Sequence, residues 1–209
     1  TLGSENFVTA RADLRRYLYA EPFTFAFQAL HVGNYGAEFS NEFGVGGIGN
    51  EYIGYPYSQG FVRGYSVQSI SEGIRAKGAD RTCSRVGDNP TVTEQCAEID
   101  RLFGTRALTT RAEIRVPFLG PERLSLLPFR YVPTTLALFA DAGITWTESQ
   151  APRFTFETNS SATNIPVVST GVAARFNILG SILLEAYYAR PFQRRDTTWE
   201  LGFRISPGF

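Results

Sequence analysis

Few residues in this 209-residue chain could carry chemistry. His31 is the single histidine, so no histidine cluster within the chain can hold a metal. A Ser-His-Asp relay is equally unsupported, because no G-x-S-x-G elbow is present. His31 reads as a packed or interfacial strand residue. Cys83 and Cys96 lie thirteen positions apart in one polar segment. They could form a disulfide in an oxidising compartment or remain two thiols, since sequence does not fix pairing. The stretch GVGGIG at 44–49 matches a dinucleotide fingerprint in its letters, but NEYIGYPYSQG follows it. That fingerprint needs a strand before and a helix after, so the stretch reads as a glycine-rich loop. Glu113 and Asp141 could suggest a catalytic carboxylate pair. Arg63 stands in GFVRGYSVQS, between the β-branched Val62 and Gly64, with Tyr65 next. A cation so tightly flanked within a glycine- and aromatic-rich stretch raises the question of its partner. No metal site and no cofactor are expected.

The elements that must position these residues show a period of two. In TRALTTRAEIRVPF, Leu108, Ala112, Ile114, Val116 and Phe118 share one face, and Arg111, Glu113 and Arg115 the other. In TTLALFADAGITW, Leu136, Leu138, Ala140, Ala142, Ile144 and Trp146 oppose Ala137, Asp141, Gly143 and Thr145. Successive side chains of a β-strand point to opposite sides, so each segment reads as a strand with two unlike faces. VVSTGVAARFN, SILLEAYYA, TTWELGFRISPGF and VTARADLRRYLYA repeat the pattern, and FTFAFQALHVGNYG does so less distinctly. That makes seven strands and an all-β chain. One helix is expected over TVTEQCAEIDRLFG, from the capping-box spacing of Thr91 and Glu94.

A soluble sandwich would bury the apolar face, whereas a membrane barrel turns it outward to lipid. Three features favour the membrane. The strands approach the roughly 9–11 residues that cross a bilayer when tilted. Short connections (20–22, 177–181) alternate with long ones (36–105, 147–166, 191–197). Aromatics such as Tyr17, Tyr19, Trp146, Phe192 and Trp199 gather near strand ends, as interfacial girdles do. The formal net charge is zero, which gives no support for a nucleic-acid partner. Seven strands cannot close a barrel with an even count. The opening TLGSENF reads as the tail of a loop, so the chain is expected to be part of a longer polypeptide.

Four motifs in order then resemble the bacterial surface antigen superfamily, the BamA- and TamA-like outer-membrane assembly and translocation barrels. They are Val62-Arg63-Gly64-Tyr65, then RAEIRVPF with Glu113, then LFADAGITW with Asp141. GVAARFNILGSILLEAYYARPF and a last strand ending in Phe209 complete the series. The resemblance implies a transmembrane antiparallel barrel of about sixteen strands, of which this chain would supply roughly the last seven. It implies that the long loop 36–105 folds inward and that Arg63 meets Glu113 and Asp141 on the inner wall. Parity agrees, since both acids fall on the polar strand faces. Trp199, Gly202 and Phe203 would belong to the terminal strand, expected over 197–206, where Gly202 could weaken or kink the pairing. Phe209 would be both an interfacial aromatic and an assembly signal. Arg190, Arg194 and Arg195 flank strand ends, where long cations can snorkel to lipid headgroups.

Bacterial outer-membrane localisation follows from the resemblance, with the lipid bilayer as a partner. So does a role in outer-membrane protein assembly or polypeptide translocation, acting on client outer-membrane polypeptides beside periplasmic or surface partner subunits. The alternative is a barrel of the same fold that inserts nothing and instead anchors or exports a fused domain, or serves in a surface complex. A passive porin is a more distant reading, disfavoured by a loop held in the lumen. No enzyme chemistry is expected.

Overall fold

The computed structural model describes residues 8–36, 43–45, 62–76, 97–122, 125–129, 131–157, 162–178, 180–194 and 198–207. Its strands in chain order are β1 Val8–Ala20, β2 Phe23–Tyr35, β3 Phe43–Gly44, β4 Phe103–Gly104, β5 Arg106–Gly120, β6 Leu127–Pro128, β7 Thr134–Trp146, β8 Val167–Ile178, β9 Ile182–Pro191 and β10 Glu200–Pro207. Two helices, α1 Val67–Ala76 and α2 Ala97–Asp100, lie between β3 and β4. The seven long strands are those the alternation predicts. They form one meander in the order β1-β2-β5-β7-β8-β9-β10, each antiparallel to its neighbour. Thirteen residues at about 3.4 Å each, tilted by about 45°, span about 30 Å, the thickness of a bilayer's hydrocarbon core.

The side-chain period decides the faces. Leu138 is 58% exposed, Leu201 62% and Phe203 61%, while Phe139 between the strand's exposed leucine and alanine is only 5% exposed. Phe25, Phe27, Ile114, Leu136, Val172 and Tyr188 share the outward face. Charged and small residues take the inward one: Glu113, Asp141 and Glu185 are buried, as are Ala137, Ala173 and Ala189. Arg11 and Arg15 of β1 line the same cavity of about 350 Å³ as Arg111, Arg115, Arg175 and Arg204 of β10. For both edge strands to reach one cavity, the sheet must curl into a trough, apolar outside and ionic inside. Among the described residues no helix is long and apolar enough to cross a membrane.

Glycines on the inner face make room for large neighbours. The ring of Phe139 covers Gly171, its registered partner, where a Cβ would come within 2.9 Å of the ring. Tyr187 covers Gly202 likewise, and a Cβ there would sit 2.1 Å from the phenol. Pairing of β10 with β9 runs unbroken from Glu200 to Pro207. Gly202 therefore does not kink the strand, contrary to expectation; it admits the Tyr187 ring.

Some differences come from the loop. Of the expected helix at 91–104 the described residues show α2, followed by a strand at Phe103–Gly104; residues 91–96, and with them Cys96, lie outside the described residues, as does Cys83. Gly104 meets β7 so closely that a Cβ would lie 2.8 Å from the Trp146 backbone. That approach ends the helix by drawing the chain onto the wall. Helix α1 was not anticipated, although Ser66 caps it by accepting the Ser69 amide hydrogen at 3.5 Å.

Leu138→Arg should destabilise the protein in lipid by about 2–4 kcal/mol, the cost of an arginine near the bilayer midplane. The denaturant midpoint of folding into bilayers would show this. An unchanged midpoint would mean that the outward face does not meet hydrocarbon.

Candidate functional site

Glu113 and Phe139 are registered partners on β5 and β7, and Arg111 faces Asp141 one inward position further along. This register puts both acids into the trough on adjacent strands. Arg63 descends onto them. Its Nε donates to Asp141 Oδ2 at 2.7 Å and its Nη2 to Asp141 Oδ1 at 2.8 Å, a bidentate pair. Nη2 also donates to Glu113 Oε1 at 2.7 Å, and the backbone amide of Arg63 reaches Asp141 Oδ2 at 3.3 Å. The guanidinium carbon lies 3.5 Å from the centroid of the Phe139 ring, so the cation is sandwiched against an aromatic floor. Arg63 has no exposed surface.

A third acid completes the cage. Glu185 of β9 places Oε1 3.6 Å from Arg63 Nη1. Arg175 of β8 ties it in: its Nε donates to Glu185, while Nη1 and Nη2 donate to Glu113 at 2.8 and 2.5 Å. Arg115 Nε donates to Glu113 Oε2 at 2.6 Å, and Arg111 Nε to Asp141 Oδ1 at 3.3 Å. Each of Glu113 and Asp141 thus accepts four N–H bonds. A carboxylate offers about four lone-pair sites, so both are full. Both carboxylates are thus engaged by guanidinium groups of the loop and the wall.

Val62 and Tyr65 flank the cation. Val62, Tyr65, Val45, Ile70, Ile99, Leu102, Ala107 and Val167 form one apolar cluster in which loop and wall interlock. The Tyr65 hydroxyl shares its hydrogen between Gln193 Oε1 at 2.6 Å and Val168 O at 3.0 Å, and accepts from the Gln193 amide at 3.0 Å. Burial pushes this phenol up to about 12, so it remains a donor at neutral pH. Gly64 has φ +86, and a Cβ there would meet Ala189 at 3.2 Å. Left-handed backbone and close approach together require glycine. Gly143 answers it from the wall: a Cβ would lie 2.6 Å from Val62 Cγ2.

The structure brings Val62, Arg63, Gly64, Tyr65, Glu113 and Asp141 together. Trp199 and Phe203 lie apart on the outer face, where Trp199 stacks on Tyr188 with centroids 4.7 Å apart. Phe209 is outside the described residues. Glu185, Arg175 and Gly143 were not singled out for the site; the inward parity of Glu185 and Arg175 carried the signal without saying which loop group they would meet. Arg194 departs from expectation outright. It is buried and donates to Gly64 O at 2.8 Å, because the carbonyl of the left-handed glycine offers a desolvated acceptor beside it. His31 packs as expected, its ring stacked on Trp146 at 5.6 Å and Nε2 2.8 Å from the Tyr35 hydroxyl.

Removing one member of a buried ion cluster leaves the others uncompensated, at a cost of about 3–5 kcal/mol. Arg63→Ala should therefore lower the temperature at which the protein loses its heat-resistant mobility in semi-native gels. Arg63→Lys should fall between it and wild type, since an ammonium cannot bridge two carboxylates bidentately. Gly143→Val, which leaves every charge in place but collides with Val62, should also lower it. Wild-type heat resistance in all three would show that the docked tip contributes nothing to the barrel.

A family model described as the Omp85 superfamily domain matches residues 1–209, the whole chain. No curated protein sequence matches it. With the motifs in order, the trough apolar outside and the full-length match, the chain belongs to the Omp85 superfamily, outer-membrane β-barrels of the protein assembly and translocation class.

Proposed function

We propose that this chain forms barrel wall and inward loop of a protein that assists outer-membrane protein assembly or polypeptide translocation. The observation that carries the reading is the filled ionic cage, which fixes the tip of a long loop inside the trough rather than leaving the lumen open. An occupied lumen suits a barrel that handles polypeptide at its wall better than one that conducts small solutes. The partners in this reading are the bilayer and client outer-membrane polypeptides. No catalytic step enters this reading, and no metal or cofactor is needed for it.

The test is reconstitution of the intact protein into liposomes with an unfolded outer-membrane barrel as client. Folding of the client should be several-fold faster than in empty liposomes. A single cysteine placed in β10 should cross-link to the arrested client. Unaccelerated folding with no cross-link would instead favour a barrel that anchors or exports a fused domain or serves in a surface complex.

A further inference from the structure

One outward position breaks the apolar face of the wall. Alternation along β1 puts Leu14, Arg16 and Leu18 on the outer side, opposite Arg11 and Arg15, which line the trough. Arg16 is registered against Phe27, Phe27 against Ala112 and Ala112 against Ala140. The two alanines make a low floor between larger neighbours. A groove of about 480 Å³ takes in Arg16, Phe27, Ala112, Ile114, Leu138 and Ala140. Among the described residues, every acid of the seven long strands stands at an inward position. Asp13 accepts from Arg15 and Gln28 of the trough. Glu113, Asp141 and Glu185 belong to the cage, and Glu200 faces the buried Arg194. Arg16 therefore shares its face with no carboxylate of these strands.

We infer that Arg16 and this groove bind a glycerophospholipid with an anionic headgroup. The guanidinium holds the phosphate, and one acyl chain lies over Ala112 and Ala140. A cation on the lipid face of a strand is costly unless it reaches water or an anion. Arg16 stands four residues before Ala20, the last residue of β1, which is about 10 Å of depth in a tilted strand. From there a guanidinium can snorkel toward the headgroups on the short-turn side, where phosphate is the anion at hand. Guanidinium matches phosphate oxygens two at a time. A zwitterionic headgroup would bring an ammonium as well, and the outward face of the strands has no acid to receive it. The low alanine floor gives the chain a seat that a row of leucines would fill. Arg106 and Arg190, the other outward cations, stand at the long-loop ends of their strands instead. The inference goes beyond the proposed function; it rests on the outward face meeting lipid, not on what the barrel handles.

The test places the intact protein in lipid nanodiscs containing phosphatidylglycerol or phosphatidylethanolamine with a photoreactive group in one acyl chain. Cross-linked peptides are then mapped. Peptides of β5 and β7 that hold Ala112 and Ala140 should take up the phosphatidylglycerol probe about fivefold more than the other, the scale of one arginine acting on an anionic headgroup. Arg16→Leu, which makes the face uniformly apolar and leaves the cage untouched, should bring the two probes level. Arg16→Lys should keep part of the preference. Ala140→Phe, with the charge kept, should clear both probes from the groove. Excess glycerol phosphate should not compete, because it has no chain to fill the floor. Heat-resistant mobility in semi-native gels checks that each variant is folded, and the comparison of the two probes on wild type needs no variant. Equal labelling of wild type by both probes, an unchanged preference in Arg16→Leu, or displacement by glycerol phosphate alone would overturn the site.

Discussion

Arg63 is a guanidinium without exposed surface inside a protein wall, and the arrangement around it follows from that one burial. A charge taken from water is tolerated only where opposite charge and hydrogen-bond acceptors surround it. Glu113 and Asp141 supply them, on adjacent strands and in inward register. These acids would in turn be unstable as an uncompensated pair. Arg175, Arg115 and Arg111 neutralise what Arg63 does not. The cage has a geometry as well as a charge. A backbone amide and a side-chain nitrogen of the same residue both address Asp141 Oδ2. The loop therefore has one seat, whereas an apolar tip of equal volume could slide along the wall.

That seat exists because the wall around it is small. Gly143 admits Val62, Ala189 lies under Gly64, and Gly171 lets Phe139 lie flat enough to carry the guanidinium on its ring. Phe139 and Tyr187 each lean over a registered glycine, so the aromatic area that a strand would ordinarily stand up into the lumen is laid along the sheet. The trough stays wide enough for a loop without becoming empty. Glycine costs strand stability through lost side-chain packing, and here the neighbouring ring offsets that loss.

The strands, their number and the outward direction of Leu136, Leu138 and Leu201 were legible in the alternation, because a period of two is a local property that tertiary context only confirms. Glu113 and Asp141 were legible through parity and resemblance together. Parity alone puts eight or more polar residues on the inner face and cannot say which of them a distant loop will meet. Glu185 and Arg175 share that parity and were not chosen, since pairing across β8 and β9 depends on register. Arg194 was misread for a related reason. A cation beside a strand end is usually solvated, and only the left-handed carbonyl of Gly64, presented by a segment 130 residues earlier, makes burial favourable. Helix α1 was hidden because its cap is a serine in a glycine-rich context.

Arginine does not lose its charge at any ordinary pH, so the loop cannot be released by titrating the cation. Withdrawal of the tip means breaking its bonds to the acids themselves. The acids sit on β5, β7 and β9, and Arg175 of β8 joins Glu113 to Glu185 across the two strands between them. Arg63 and Arg175 together therefore staple four neighbouring strands at one level. Any movement that splays these strands lengthens several charged bonds at once, and withdrawal of Arg63 leaves three carboxylates to be held by fewer cations. Loop and wall are thus two parts of one equilibrium: a docked tip favours the closed spacing of the strands, and a strained wall favours the free tip. The ionic cage is where that exchange takes place, which is why its members come from the loop and four strands rather than from any one element.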